Sequence, residues 1–119
     1  MKRILVVEDN EDNIRLVRFM LEETGYEVIE ARDGAEGVAL AVKEKPDLVI
    51  MDVQLPDIDG LEATKRIRAS EADSEIPIIA LTSYAMVGDR ERALAAGCTS
   101  YIEKPINPET FMAEIEKYL

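Results

Sequence analysis

The sequence contains no histidine, and this absence excludes several kinds of site. A Ser-His-Asp or Cys-His catalytic group, a zinc ion held by imidazole and a phosphohistidine formed on this chain all require the missing residue. Any transfer chemistry must therefore rely on carboxylate, hydroxyl or amine groups.

Cysteine is almost absent as well, since Cys98 is the one cysteine in the chain. A disulfide framework is therefore excluded, and the composition is typical of the reducing cytoplasm. Cys98 follows Gly97 with no base beside it, so we interpret it as a small buried apolar residue. No apolar stretch approaches the length of a membrane span, and the run at residues 4–7 is too short for a signal peptide. The sequence predicts a cytoplasmic protein without a membrane segment.

Basic residues are few relative to acidic ones, 14 against 25, which gives a formal net charge of −11 over 119 residues. A field of that sign repels phosphate backbones and anionic lipids, so we expect no direct binding to nucleic acid or membranes. It suits a cation, or a protein partner with a basic face. The length predicts one domain over residues 1–119, large enough to form a core without disulfide or metal staples.

Short apolar runs alternate with helical patterns along the chain, giving five repeats of strand and helix. The runs lie at about 4–7, 26–31, 48–51, 76–81 and 99–102. Such runs indicate a parallel sheet with helices on both faces, so we expect a doubly wound α/β fold of five parallel strands. Helices are predicted, among others, at about 61–69 and 85–96. The stripe that the second helix should bury consists of Ala35, Val38, Ala39 and Val42.

Polar side chains follow the predicted strands at their carboxyl ends, where sheets of this kind bind ligands. These residues are Glu8, Asp9, Asp52, Thr82, Ser83 and Lys104. Three carboxylates brought together repel one another unless a cation neutralises them. Oxygen ligands without imidazole or thiolate favour a hard ion, so the sequence predicts Mg²⁺, with Mn²⁺ as an alternative.

The same residues are suited to phosphoryl transfer. An Asp carboxylate can act as the nucleophile and form an aspartyl phosphate, while Lys104 pairs with the phosphoryl charge and Thr82 donates a hydrogen bond. Simpler roles exist for each residue alone. Asp9 or Asn10 could cap the first helix, and Lys104 could be a surface charge. Their convergence on one edge of the sheet favours metal-assisted phosphoryl transfer onto a carboxylate.

The motifs around these residues resemble the receiver domain of bacterial two-component response regulators, in the CheY-like superfamily. They are ILVVEDN at 4–10, PDLVIMD at 46–52, Pro56 with Gly60, ALT at 80–82 and Lys104-Pro105. The resemblance extends over essentially the whole chain and implies a flavodoxin-like (βα)5 fold with strand order 2-1-3-4-5. It implies that Asp52 is the phosphoacceptor and that Glu8, Asp9 and Asp52 hold Mg²⁺ together with the backbone carbonyl of Gln54.

The resemblance also implies a switch. Thr82 would be the switch hydroxyl, Tyr101 the switch aromatic and Lys104 the cation that pairs with the phosphate. The bond before Pro105 would be cis, as is usual in the family. Ser83 stands where relatives often have alanine, and Glu8 where many have aspartate, but neither change removes a required group.

The implied protein is a phosphoacceptor that assists its own phosphorylation and dephosphorylation, and is not otherwise an enzyme. Its partners would be a histidine kinase or phosphotransfer protein and a downstream protein target, and it would be a monomer or a phosphorylation-dependent dimer. It would be either a complete regulator or the receiver of a longer regulator or hybrid kinase. The residues expected on partner surfaces are Asn13, Ile14, Val17, Met86, Val87 and Ile106.

Three alternatives remain open at this point. A Mg²⁺-dependent phosphatase with an Asp nucleophile commonly carries a second Asp two residues later, where this chain has Gln54, and it needs a cap for which the chain has no room. A flavodoxin-like carrier would need a phosphate-binding loop after the first strand. A pseudo-receiver that merely binds a partner would not need Asp52, Thr82 and Lys104 together.

Overall fold

A computed structural model describes residues 1–70, 75–82 and 88–119 of the chain. Strands and helices alternate as β1 Arg3–Val7, α1 Glu11–Glu23, β2 Glu27–Ala31, α2 Gly34–Glu44, β3 Leu48–Asp52, α3 Gly60–Ala69, β4 Ile78–Thr82, α4 Asp89–Ala96, β5 Ser100–Glu103 and α5 Pro108–Glu116. The strands pair in parallel in the order β2-β1-β3-β4-β5. The predicted fold class and strand order are confirmed.

The core lies on both faces of the sheet, because successive strand residues point to opposite sides. On one face, Val6 packs in a cluster with Leu21 of α1 and Phe111 of α5. On the other face, Val7 packs in a cluster with Ile67 of α3 and with residues of α2 and α4. Strands buried on both faces must be apolar throughout, so polar side chains collect where the strands end.

The ends of the first helix follow the local sequence. Asn10 caps α1, since its side chain accepts a hydrogen bond of 3.0 Å from the backbone N–H of Asn13. Gly25, with φ +94°, takes the left-handed conformation that ends the helix. The cap frees Asp9 from that role, so its carboxylate is available at the end of β1.

The buried face of α2 differs from the predicted stripe. Ala35, Ala39 and Val42 are exposed and Val38 is half-buried, whereas Gly37 and Ala41 face the sheet. A Cβ atom on Gly37 would lie 2.8 Å from the side chain of Val7, so the helix backbone packs directly on β1. A prediction from the spacing of apolar side chains does not count glycine as a buried residue. The predicted buried face of α2 was therefore wrong, and the observed one lies on another side of the helix.

Other boundaries shift slightly. The fourth strand begins at Ile78, after Pro77, since proline has no N–H to donate to a neighbouring strand. The predicted start of the fourth helix, at about residue 85, lies outside the described residues, and α4 begins at Asp89. Within the described ranges, no helix has the length and apolar character needed to cross a membrane.

Candidate functional site

Three carboxylates meet at the carboxyl edge of the sheet. Glu8 and Asp9 follow β1, Asp52 ends β3, and each residue offers an oxygen within 4.8 Å of the others. β1 and β3 are neighbours in the sheet, at the point where the strand order reverses. Glu8 and Asp52 are buried, whereas Asp9 is exposed. The topology thus creates a concentration of negative charge that water reaches mainly from the side of Asp9.

Lys104 places one positive charge against these acids. Its Nζ atom lies 3.1 Å from Oε1 of Glu8 and 3.3 Å from Oδ2 of Asp52. Its side chain is 14% exposed, whereas the neighbouring Glu103 is exposed because adjacent strand residues face opposite ways. One ammonium group faces three carboxylates, so the cluster keeps a negative charge when all of them are ionised.

Glu8 is the most constrained of the acids. Its Oε2 atom accepts hydrogen bonds from the backbone N–H groups of Asp9, at 3.1 Å, and Asn10, at 3.3 Å. Its Oε1 atom is buried and, among the described residues, accepts no hydrogen bond of good geometry, although Lys104 lies within ion-pair distance. Burial, and then the neighbouring Asp52, raise the pKa of Glu8 above its ordinary 4.5, while Lys104 opposes this. Lys104 is thus the cationic neighbour of Glu8 among the described residues, and Oε1 of Glu8 still lacks the close contact that a bound cation would supply.

The donor set fits a hard divalent cation. All three side chains offer oxygen, and a buried carboxylate oxygen without a hydrogen bond is the feature that a bound ion would satisfy. Asp52 is held on the other side, since its Oδ1 atom accepts a hydrogen bond of 3.1 Å from the N–H of Gln54. Gln54, whose backbone carbonyl is also a predicted ligand, is thus hydrogen-bonded directly to the ligand Asp52.

The switch residues predicted from the resemblance occupy two neighbouring strands. Thr82 is buried at the end of β4, and Tyr101 is half-buried on β5 against the cluster that contains Val7. Tyr101 pairs with Ala80, two residues before Thr82, so the alternation of strand residues puts Thr82 and Tyr101 on the same side of the sheet. The Lys104–Pro105 peptide bond is cis. Ser83 lies outside the described residues.

The expected partner surface needs correction at two positions. Ile14 and Val17 are 2% and 0% exposed, because α1 packs this face against the sheet, and they cannot contact a partner in this conformation. Asn13 and Ile106 are half-buried, and Met86 and Val87 lie outside the described residues. The large apolar residues that α1 does expose are Leu16 and Phe19.

One residue near the site received no role from the sequence. Asp57, in the loop between β3 and α3, accepts hydrogen bonds from the N–H groups of Gly34 and Ala35, at 2.7 and 2.9 Å. These partners lie 23 and 22 residues away, so no local pattern could have identified the contact.

We expect Glu8→Gln to raise the free energy of unfolding of the metal-free protein by about 1 kcal/mol near neutral pH. The amide resembles the protonated acid, which the raised pKa of Glu8 favours. An acid with a raised pKa loses its contribution to stability as the pH rises through that pKa. The difference in free energy of unfolding between the variant and the unchanged protein should therefore shrink as the pH falls below the pKa of Glu8.

Urea unfolding in EDTA at several pH values measures this difference, and Glu36→Gln, an exposed exchange of the same kind, serves as the control. A variant less stable than the unchanged protein at neutral pH would contradict the expectation that ionised Glu8 destabilises the metal-free protein.

The sequence profile described as "Response regulator receiver domain" matches residues 4–116. Among curated proteins, the polar-differentiation response regulator DivK of Brucella anthropi is 46% identical over 118 residues, 99% of this chain and 96% of its own length. DivK of Brucella ovis is 47% identical with the same coverage.

Solved structures show the same similarity. The receiver domain of the sensor histidine kinase PA1611 from Pseudomonas aeruginosa PAO1, with a magnesium ion coordinated in its active site cleft, is 39% identical with a TM-score of 0.91, covering 98% of this chain and 96% of that one. The chemotaxis protein CheY4 of Vibrio cholerae is 34% identical with a TM-score of 0.94, covering 100% and 99%.

Proposed function

Since the chain belongs to the response regulator receiver domain family of two-component systems, as its motifs predicted, we propose that it accepts a phosphoryl group on Asp52 in a Mg²⁺-dependent reaction. The observation that carries the proposal is the group of three carboxylates around a buried Asp52, with Lys104 within 3.3 Å. The wording at 8–10 and 97–105 resembles that of DivK, and DivK of Brucella anthropi is 46% identical to this chain over 118 residues.

Asp52 is suited to in-line attack on a phosphohistidine. The phosphohistidine must belong to a separate protein, because this chain has no histidine of its own. A bond forms between an Asp52 carboxylate oxygen and phosphorus, and the bond between phosphorus and the donor's imidazole nitrogen breaks. Lys104 turns from Asp52 to the transferred phosphoryl oxygens and neutralises their charge. Attack by water later releases phosphate and restores the carboxylate, so the modification is temporary.

Glu8, Asp9 and Asp52, with the carbonyl of Gln54, are the residues that would hold Mg²⁺. When bound, the ion supplies positive charge beside the phosphoryl oxygens. Glu8 can take this role because its Oε2 atom is already fixed by two backbone N–H groups while Oε1 faces the cluster.

Phosphorylation would then be communicated through Thr82 and Tyr101. A hydrogen bond from the Thr82 hydroxyl to the phosphoryl group draws that side chain toward Asp52, and Tyr101, on the same side of the sheet, moves into the space released. A differential contact of a few kcal/mol is enough to shift such an equilibrium. The changed surface would be read by a downstream protein, with the chain as a monomer or as a phosphorylation-dependent dimer.

The proposal implies a class of phosphoryl donor and disfavours the alternative functions. The phosphoryl donor is a histidine kinase or phosphotransfer protein of the cytoplasm, and residues 1–119 act as one receiver domain. A Mg²⁺-dependent phosphatase is disfavoured because Gln54 occupies the position of the second Asp. A binding module without phosphorylation would not require Asp52 to be paired with Lys104.

The test is incubation with acetyl phosphate and Mg²⁺, followed by intact mass measurement. The unchanged protein should gain one phosphoryl group, and Asp52→Asn should gain none. Asp59→Asn is the matched control, since it makes the same exchange in the following loop, where either side chain can accept the capping hydrogen bond from the N–H of Glu62.

EDTA should abolish the adduct. A phosphorylated Asp52→Asn variant would disprove the assignment, and steady release of phosphate from many small esters would favour the phosphatase.

A further inference from the structure

We propose that Asp57 is a positioning residue that ties the loop of residues 53–59 to the N-terminus of α2 and thereby holds the Gln54 carbonyl in place for Mg²⁺. The inference rests on the proposed function, because the ion belongs to that proposal. Asp57 itself would touch neither the ion nor the phosphoryl group.

The contact is a two-point attachment. Oδ1 of Asp57 accepts from the N–H of Gly34 at 2.7 Å, and Oδ2 accepts from the N–H of Ala35 at 2.9 Å. N–H groups in the first turn of a helix have no partner within the helix, and a carboxylate there also complements the helix dipole. These bonds, from Ala35 and then Gly34, hold the pKa of Asp57 below its ordinary value, so the attachment stays ionised at neutral pH.

Helix α2 already has a cap of its own. Asp33 accepts a hydrogen bond of 2.7 Å from the N–H of Glu36, as an N-cap residue does. The second carboxylate, that of Asp57, comes from the loop of residues 53–59. Its hydrogen bonds to α2 therefore also restrain that loop. Two acids therefore serve the same helix end, and only one of them can affect the loop.

The rest of the loop is held at its two ends. The N–H of Gly60 donates to the carbonyl of Val53 at 2.8 Å, which closes the loop between the end of β3 and the start of α3. Ile58 fills the position that a side chain on Gly34 would occupy. Within the described part of the chain, the bonds of Asp57 are the hydrogen bonds that join the tip of the loop to another element.

Gln54 lies between two fixed points, Asp52 on one side and Asp57 on the other. Mg²⁺ requires nearly ideal octahedral geometry, so a carbonyl ligand that can move away costs affinity. Residues that orient metal ligands commonly change affinity by 10-fold or more when removed. We expect Asp57→Ala to weaken Mg²⁺ binding by about 10-fold.

Calorimetric titration with MgCl₂ tests this, with Asp33→Ala as the matched control. Both variants lose one negative charge and one capping carboxylate at the same helix end, so helix stability and long-range charge change alike. Asp33→Ala should bind Mg²⁺ within about 2-fold of the unchanged protein, and Asp57→Asn, which keeps one acceptor oxygen, should be intermediate. In EDTA, amide exchange at the residues of 53–58 other than Pro56 should accelerate in Asp57→Ala and not in Asp33→Ala.

Equal affinities for Asp57→Ala and the unchanged protein, or equal losses in both alanine variants, would overturn this inference and leave the proposed function standing. No Mg²⁺ uptake by the unchanged protein would overturn both. Should Asp57→Ala fail to fold, Asp57→Asn carries the comparison, and an affinity equal to that of the unchanged protein together with unchanged amide exchange would contradict the inference.

Discussion

Lys104→Met is expected to lower the free energy of unfolding of the Mg²⁺-free protein by about 3 kcal/mol. The Lys104 ammonium lies 3.1 Å from Glu8 and 3.3 Å from Asp52, both of which are buried. Methionine keeps most of the apolar stem but leaves two buried carboxylates without their cation. Removing one partner of a buried ion pair is costly because the remaining charge stays desolvated.

The control for this prediction is Lys117→Met. Lys117 also pairs with a carboxylate, Glu114, at 3.1 Å, but its side chain is 64% exposed. Such surface pairs contribute about 0–1 kcal/mol. Urea unfolding in EDTA should separate the two variants clearly, and Mg²⁺ should restore part of the loss in Lys104→Met. Equal small losses in both variants would mean that Lys104 does not stabilise the acids.

Gly60→Ala is expected to destabilise the protein by about 3 kcal/mol and to impair phosphorylation of the molecules that remain folded. A Cβ atom on Gly60 would overlap the carbonyl oxygen of Asp52 and lie 2.9 Å from the Cα atom of Val53. These are backbone atoms, which cannot rotate away as a side chain could. Relief of the overlap must therefore displace α3 or the end of β3, where Asp52 is located.

Gly25→Ala provides the comparison. Gly25 has φ +94° but open space around it, so alanine there costs backbone strain of about 1 kcal/mol without overlap. Urea unfolding of the two variants distinguishes steric overlap from backbone strain. If Gly60→Ala cost no more than Gly25→Ala, the close approach of α3 to Asp52 would be refuted.

The edge of the sheet that carries the site could be predicted from sequence. Strands buried on both faces are continuous apolar runs, so the residue at which each run stops marks a strand end, as at Glu8 and Asp52. Parallel pairing then brings those ends together whatever the loops do. The grouping of acids at one edge followed from this, whereas the strand order also required the doubly wound topology of the family that the motifs resemble.

What could not be predicted depends on contacts between distant segments or on backbone proximity. Glycine has no hydrophobicity, so the buried face of α2 around Gly37 escaped a pattern based on apolar spacing. The attachment of Asp57 to α2 joins a loop to a helix more than 20 residues away in sequence. Glu8 and Asp9 are adjacent and both acidic, yet one is buried and the other exposed, which depends on how the chain turns into α1.

Phosphorylation of Asp52 is tested by identifying the residue that carries the phosphoryl group. Borohydride reduces an acyl phosphate and converts a phosphorylated aspartate to homoserine, which peptide mass spectrometry can locate. After treatment with acetyl phosphate and Mg²⁺, we expect homoserine at position 52 and unchanged aspartate at positions 9, 57 and 59. Homoserine at another position, or none at all in a protein that binds Mg²⁺, would contradict it.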